Sequence, residues 1–429
     1  MNFIIPQKTE NLNINKNTSN NTNINTSINT SINTKINTNT SINTKKTVCF
    51  ITMCKNEEHC IKNTLESIYK FIDYWIVCDT GSTDKTCQII TDFFKEKNIP
   101  GELFIHEWKS FHENKSLMFE KGYNKSDYLL HIDADDIFYG NLNIANIANI
   151  ANNNNEADMY YFNCKRGGLK FPCSLLYNNR LKWKYCGVAH NTIKCLDKEN
   201  VISSNYFISQ DMWLDCNERG SRAFDPKKYH KDAELLKTQF FDTLYNDPDT
   251  LNNRSCFYTA QSYMDSGQNE EALAWYCLYL KLKNTWNEEE YESYLRIAEL
   301  LIKLEKPFEE IERQINKSIE IFPDRAEGYY ILALHCNHIK MQEKAYELFN
   351  KALEKDYNMI STKYTLFVRP NMYGKYIYDE LSVSCYWTDR FVEGKKYLEK
   401  IINDPDLQHH KERFNDNMKH FNNKGASPF

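Results

Sequence analysis

The chain has no apolar run approaching the ~20 residues that a membrane helix needs. It has no CxxC pair and no cysteine–histidine spacing of the zinc-site kind. It also lacks a strong excess of either charge, since 53 Lys and Arg stand against 58 Asp and Glu for a net −5. Each absence excludes a class. No transmembrane segment is expected, and the charge balance gives no electrostatic reason for a nucleic acid or anionic membrane partner. The 14 cysteines are scattered, several inside apolar runs (Cys49, Cys78, Cys87), so buried reduced thiols are expected in place of a disulfide framework. Residues Met1 to Pro6 are too short in apolar core and too poor in positive charge for a signal peptide. A cytoplasmic location follows as the expectation.

What is present divides the chain. At 429 residues it can hold two or three domains with their own cores. Residues 8 to 46 repeat Asn, Thr, Ser and Ile in near-copies and cannot bury enough surface to offset ordering entropy. Residues 1–46 are therefore expected to be a disordered tail. An α/β unit is expected over 47–225, helical repeats over 226–403, and a polar, fraying tail over 404–429.

The α/β expectation rests on alternating patterns. Val48 to Met53 reads as a strand, and Ile61, Leu65, Ile68 and Ile72 fall on one helix face. Trp75 to Cys78 is a second strand, stopping at Asp79. Ser82 or Thr83 is expected to cap a helix whose inner face carries Cys87, Ile90 and Phe94. Leu103 to Ile105 reads as a third strand and Phe111 to Gly122 as a third helix. Such alternation predicts a parallel sheet covered on both faces, with ligands outside the C-terminal strand ends. Asn56, Asp79 and Asp133 all fall at those ends.

The run from Tyr128 leads into Asp133, Asp135 and Asp136. On an extended chain Asp133 and Asp135 point the same way, roughly 6.5–7 Å apart, with small Ala134 between them. Two hard oxygen donors at a strand end suit Mg²⁺ or Mn²⁺. An acidic turn touching only water would show the same residues, and the convergence with Asn56 and Asp79 weighs against it.

In order and spacing, four elements resemble a family-2 glycosyltransferase of GT-A fold: Lys55 to Glu58, Cys78 to Asp84, Trp108 to Asn114 and His131 to Asp136. The likeness covers about residues 47 to 140. It implies a Rossmann-like nucleotide-diphospho-sugar transferase domain that moves a sugar from a nucleotide-diphosphate donor, a UDP-sugar by expectation, to an acceptor hydroxyl with inversion. It implies that Asn56 and Glu57 line the nucleotide pocket and that Asp79 reads the base or ribose. It further implies that Asp133 and Asp135 hold Mn²⁺ or Mg²⁺ on the diphosphate. The acceptor would be a glycan or a protein.

Farther on, Lys184 to His190 is similar to the family's segment ending in Gly-x-x-His, with Gly187 and His190 in place. Relatives follow that His with Glu, whereas Asn191 stands here and cannot act as a base. Asp211, Asp215 and Glu218 are the nearby acids that could take the acceptor proton, and His190 could complete the metal shell or touch the diphosphate.

From about residue 226 three segments align at tetratricopeptide-like spacing. One carries Tyr329, Leu332, Ala333, Cys336, Ala345, Phe349 and Ala352. Another carries Ala260, Tyr263, Ala272, Tyr276 and Tyr279, with Gly267 and Gln268 at the turn. The third carries Ala298, Ile302, Ile311, Ile315, Ser318 and Pro323. Small residues let paired helices approach and aromatics fill the gaps. Such repeats could hold a protein partner or an acceptor, or could serve only to cover the catalytic unit.

Two rivals are open at this level. A haloacid-dehalogenase-type phosphatase also uses Asp-x-Asp, but on an early strand and with Thr or Val where Ile137 stands. A catalytically inactive domain in a repeat scaffold fits Asn191 but not the intact Asp79, Asp133 and Asp135. An EF-hand is excluded because Ile137 and Phe138 fill positions that need an oxygen ligand and Gly.

Overall fold

The computed structural model describes residues 46–142, 157–167, 169–205, 212–216, 219–247 and 250–425. The Asn-rich tail, the Asn/Ala/Ile repeat near residue 150, Asp211 and Glu218 lie outside the described residues.

Three β–α units open the domain: β1 (Val48–Cys54) with α1 (Ile61–Ile68), β2 (Tyr74–Asp79) with α2 (Thr86–Glu96), and β3 (Gly101–Ile105) with α3 (Phe111–Gly122). β4 (Tyr128–His131) follows. These four strands pair in parallel in the order β3-β2-β1-β4. Residues alternate between faces, as a strand's period of two requires. Val48, Phe50, Val77 and Leu130 join the core that holds α1 and α2, while Cys49, Ile51, Ile76 and Leu129 join Met118 and Phe119 of α3 on the other side.

The sheet then becomes mixed. β5 (Ile137–Tyr139), β6 (Met159–Arg166), β7 (Leu169–Asn178) and β11 (Trp213–Asp215) extend it in the order β4-β7-β6-β11-β5. β7 runs antiparallel to both β4 and β6, and β5 antiparallel to β11. β10 (Ser203–Asn205) pairs with β6, and β8 (Trp183–Cys186) and β9 (Thr192–Cys195) form a separate hairpin. Because β1 has β2 on one side and β4 on the other, their C-terminal ends flank the point where an open α/β sheet binds ligands.

From Lys228 onward the chain is helical and stacks as antiparallel pairs: Asn252–Asp265 with Asn269–Tyr279, Asn287–Lys303 with Phe308–Ile321, Glu327–His338 with Gln342–Leu353, and Tyr378–Trp387 with Phe391–Ile401. Ala260, Ala272, Ala298, Ala333, Ala345 and Ala352 are all fully buried between helices, where a larger side chain would force the pairs apart. Gly267 supplies the positive φ of +82° at the first inter-helix turn.

Two departures from the sequence reading have physical causes. The polar C-terminal segment, expected to be a helix that frays, is a helix over Lys411–Gly425 but is held down by buried Phe414 and Phe421 against Leu398, Ile401 and Leu407. Two rings seven residues apart make one stripe, enough to dock a helix that is otherwise polar. The cap of α2 is neither Ser82 nor Thr83, because Asp84 accepts from Thr86 N (3.0 Å) and Oγ1 (2.6 Å) while Ser82 is drawn to Asp79.

The irregular segment from Tyr364 to Tyr373 lies across the helix pairs and is tied there by buried charge. Arg325 and Glu327 are both fully buried and paired at 2.9 Å. Arg325 also donates to the carbonyls of Leu366 (3.1 Å) and Phe367 (3.2 Å), and Glu327 accepts from Arg369 N (3.0 Å) and the Tyr373 hydroxyl (2.9 Å). Arg369 reaches Glu292 (2.6 Å) and Glu299 (2.7 Å). Removing one partner of such a group strands the other charge in the interior. Arg325→Ala should therefore lower unfolding free energy by about 3–5 kcal/mol. Urea titration of the full chain checks this, and a change under about 1 kcal/mol would show that the segment is not held by this pair.

Candidate active site at the C-terminal strand ends

The site is assembled from loops after β1, β2 and β4 together with residues 219–221. β4 ends at His131, and Asp133 to Asp136 form a tight turn closed by Asp136 N donating to Asp133 O at 3.1 Å. The two carboxylates thus sit on a turn and not on an extended strand as the sequence suggested, because Ala134 is tucked into the core and its carbonyl is taken by Thr64 Oγ1 at 2.8 Å.

Asp133 and Asp135 are held differently. Asp133 Oδ1 accepts from Lys115 Nζ at 2.8 Å, with His131 Nε2 3.2 Å away. Burial by itself would raise the Asp133 carboxyl, but the Lys115 ammonium and His131 hold it well below the usual carboxylate range. His131 is in turn fixed by the Tyr185 hydroxyl at 3.0 Å to Nδ1. Asp135 Oδ2 accepts from the backbone N–H groups of Arg219 (3.3 Å) and Gly220 (2.8 Å). Asp136 is buried, and burial together with Cys216, Asp133 and Asp135 pushes its carboxyl well above the ordinary value.

On the β1 side, Asn56 adopts a left-handed φ of 57°. Its amide donates to Ser82 Oγ at 2.8 Å and its Oδ1 accepts from Thr83 N at 2.8 Å, which joins the loops after β1 and β2. The Glu57 carboxylate accepts from Ser221 N at 3.2 and 3.1 Å and from the Cys60 thiol at 3.2 Å, and burial raises its pKa. Asp79 is 1% exposed. Its oxygens accept from Gly81 N (2.9 Å), Ser82 N (2.8 Å) and the Ser82 hydroxyl. Burial opposes its ionisation, but these hydrogen bonds prevail and lower its pKa. Asp79 thus holds its own turn, and a contact from it to a base or ribose would require that turn to open.

Of the acids and the histidine expected on the acceptor side, Asp215 and His190 are described, and they have different surroundings. Asp215 is carried by β11 beside the Asp133–Asp136 turn, since it pairs in register with Ile137, but its carboxylate is engaged by the Arg219 guanidinium. His190 faces the repeats. Its ring stacks on Tyr258 with centroids 4.1 Å apart, and its carbonyl accepts from Arg254 Nε at 2.9 Å. Burial, then the surrounding arginines, hold its pKa well below the ordinary value. The ligand set Asp133, Asp135 and His190 is not gathered. Among the described residues, three metal-capable side chains lie within 4.8 Å of one another only at Glu57, His59 and Cys60. There Cys60 already donates to Glu57, and His59 Nε2 donates to Arg219 O at 2.7 Å. Asn191, in the place of the family's acid, is buried with its amide donating to Gly187 O. It closes the β8–β9 turn.

Sequence reasoning overlooked Lys115 and the Arg219–Ser221 backbone. Lys115 had a signal, since Asn114, Lys115, Met118, Phe119 and Gly122 form the buried face of α3 and a lysine on such a face needs a carboxylate. The backbone donors had none, because amides carry no sequence signature.

Residues 49–192 match the family model described as Glycosyl transferase family 2. No curated protein matches the chain. Among solved structures the chain is similar to MamA protein, at 19% identity and TM-score 0.32, covering 44% of this chain and 91% of that one. It is also similar to a tetratricopeptide repeat protein from Parabacteroides merdae, at 14% identity and TM-score 0.33, covering 46% and 69%. A third is BtubC from P. vanneervenii, at 12% identity and TM-score 0.36, covering 48% and 85%. The N-terminal unit is a family-2 glycosyltransferase domain of GT-A-like fold, and helix pairs of tetratricopeptide-like arrangement follow it in the same chain.

The Lys115–Asp133 pair gives a pH test. A carboxyl depressed in the folded state stabilises above its unfolded pKa of about 3.9 and loses that contribution as pH falls through the folded value. In Lys115→Met only His131 is left to oppose burial, so the Asp133 carboxyl should titrate at higher pH than in the wild type. The acid-side fall of the melting temperature should flatten accordingly. Carbon NMR titration of the Asp133 carboxyl reads this directly, and an unmoved titration would remove Lys115 as the cause.

Proposed function

We propose that the domain transfers a sugar from a nucleotide-diphosphate donor, a UDP-sugar in the first instance, to an acceptor hydroxyl. The observation that carries this reading is the convergence of Asn56, Glu57, Asp133 and Asp135 at the C-terminal ends of β1 and β4, within the segment that matches the glycosyltransferase family. In this reaction the bond from the anomeric carbon to the diphosphate oxygen breaks and a bond to the acceptor oxygen forms. The acceptor loses its proton and the nucleoside diphosphate leaves with the bonding electrons.

The residues present fit a hard divalent cation. Asp133 keeps Oδ2 and Asp135 keeps Oδ1 outside the hydrogen bonds that fix their other oxygens, and its side chain leaves Asp133 48% exposed. Two carboxylate oxygens with room for phosphate oxygens and water match the preferences of Mg²⁺ or Mn²⁺. When bound, such an ion neutralises charge on the leaving diphosphate. Lys115 helps keep Asp133 ionised, and the amides of Arg219 and Gly220 orient Asp135 for that task. The loop tied by Asn56, Ser82 and Thr83 forms the wall on the nucleotide side.

An acid of the 211–218 segment serves as base in this reading, because β11 brings Asp215 to the edge beside the aspartate turn. Asp215 would first have to release Arg219. A base contributes mainly in the transition state, so its loss lowers turnover with little change in donor affinity. Among Asp211→Ala, Asp215→Ala and Glu218→Ala, one should show that pattern. His190→Ala should instead lower the melting temperature through the lost stack on Tyr258. Loss of turnover with intact UDP affinity in His190→Ala alone would reverse the assignment.

The central test is Asp135→Asn, which keeps shape but removes charge. It should lower turnover by about two orders of magnitude or more and weaken UDP binding in Mn²⁺ while the chain still melts cooperatively. Unchanged turnover across a panel of sugar nucleotides would reject the donor-site reading.

A further inference from the structure

Two partly exposed aromatic rings lie on loops that adjoin this site, and both loops are pinned by polar groups. Trp108, in the loop between β3 and α3, is 41% exposed. That loop is built around Asn114, which is 2% exposed. Its Oδ1 accepts from Lys109 N and Ser110 N, both at 3.0 Å, and its Nδ2 reaches His106 Nδ1 at 3.1 Å and Glu107 O at 3.4 Å. A buried amide thus fixes the backbone on both sides of a partly exposed tryptophan.

Phe224 ends the short turn Ser221–Phe224 and is 74% exposed. That turn begins at Ser221, whose amide donates to Glu57 and whose hydroxyl donates to Asn56 O. The two presentations touch. The Arg222 guanidinium lies 4.6 Å over the Phe111 ring, Phe111 meets Trp108 edge-on at 4.7 Å, and Phe224 meets His59 edge-on at 5.9 Å. A continuous rim therefore runs from His59 beside Glu57 to Trp108.

We infer that Trp108 and Phe224 form a platform for the pyranose rings of a carbohydrate acceptor. The inference rests on the glycosyl-transfer reading for its placement, and it names the acceptor class. A sugar presents a face of C–H groups that the negative face of an aromatic ring attracts, and an edge of hydroxyls that needs polar neighbours. Both are on the rim. Exposed Glu107 and Lys109 flank Trp108 in the chain and exposed Arg222 stands two residues before Phe224, so each ring has charged neighbours that the core of a protein-binding surface would lack. Their attachment to the loops of Asn56, Glu57 and Asp135 puts any sugar stacked on them beside the donor edge.

The test is saturation-transfer NMR of the full chain with maltose, cellobiose, lactose and N,N′-diacetylchitobiose, with UDP affinity in Mn²⁺ and melting temperature as controls. At least one disaccharide should show ring C–H saturation, weakened about fivefold to tenfold in Trp108→Ala and in Phe224→Ala and restored in Trp108→Phe and Phe224→Tyr. UDP affinity and melting temperature should stay at the wild-type values in these variants. Absence of binding by all four sugars to the wild type, or binding that survives both alanine variants, would overturn the platform. The donor reading is judged apart from this, because Asp135→Asn acts on UDP affinity and does not touch either ring.

Discussion

Loops from distant parts of the chain close on a single glycine. Gly220 N donates to Asp135 Oδ2 at 2.8 Å, and a Cβ on Gly220 would stand 2.8 Å from that oxygen and 3.1 Å from Glu57 Oε1. With any other residue at 220 the Asp135 carboxylate would have to shift to make room for the Cβ, and its hydrogen bonds to the Arg219 and Gly220 amides would change with it. Two carboxylates that would repel each other are thereby bridged by successive amides, whose partial positive charge suits anions. The loop after β1 and the turn after β4 are consequently set by one short segment, and the separation of the aspartates from the Asn56 loop follows from it.

That segment is itself anchored at both ends. Asp215 on β11 holds the Arg219 guanidinium, and Arg222 pairs with buried Asp232 on the helix Lys228–Thr243. A second joint lies at the β8–β9 turn, where Val188 N donates to Gln239 Oε1 at 2.7 Å and His190 stacks on Tyr258. Buried apolar residues run without a break from Val48 of the sheet through Ala233 and Phe257 into the helix pairs. The first helical elements therefore act as part of the N-terminal domain's frame. A change in their packing would reach Gly220 through Arg222 and would be felt at the carboxylates.

How much of this was legible in the sequence depended on whether the signal was carried by side chains or by backbone. The strand–helix alternation from Val48 to His131 was legible because apolar periodicity reports burial directly, and the buried alanines of the helix pairs were legible for the same reason. The convergence of Asn56, Asp79 and Asp133 on one edge followed from parallel topology. The local geometry of the aspartates was not legible, since the tuck of Ala134 beneath Thr64 converts an expected strand end into a turn. The place of His190 was not legible either. Its motif suggested a site, but the partner that claims its ring, Tyr258, lies in a different unit, and sequence order gives no account of that docking. Asp79 shows a related ambiguity, because an aspartate before Gly-Ser serves a turn or a ligand with the same residues.

The aromatics of the chain separate the two uses that composition leaves mixed. In the helix pairs Trp275 packs edge-on against Phe240 at 5.2 Å and Phe241 at 6.1 Å, and Tyr276 and Tyr279 are fully buried around Phe257. These rings fill gaps between helices. The face bearing Glu288, Glu292 and Glu327 is taken by the chain's own segment from Thr365 to Tyr373, through buried charges whose separation would leave each uncompensated. A protein partner of the repeats would accordingly have to use another face. At the sheet edge the balance is reversed. Buried Asn114 fixes the loop that carries Trp108, and Trp108 and Phe224 keep 41% and 74% of their surface exposed while each meets a neighbouring ring edge-on, so neither is wholly spent on filling a gap between elements.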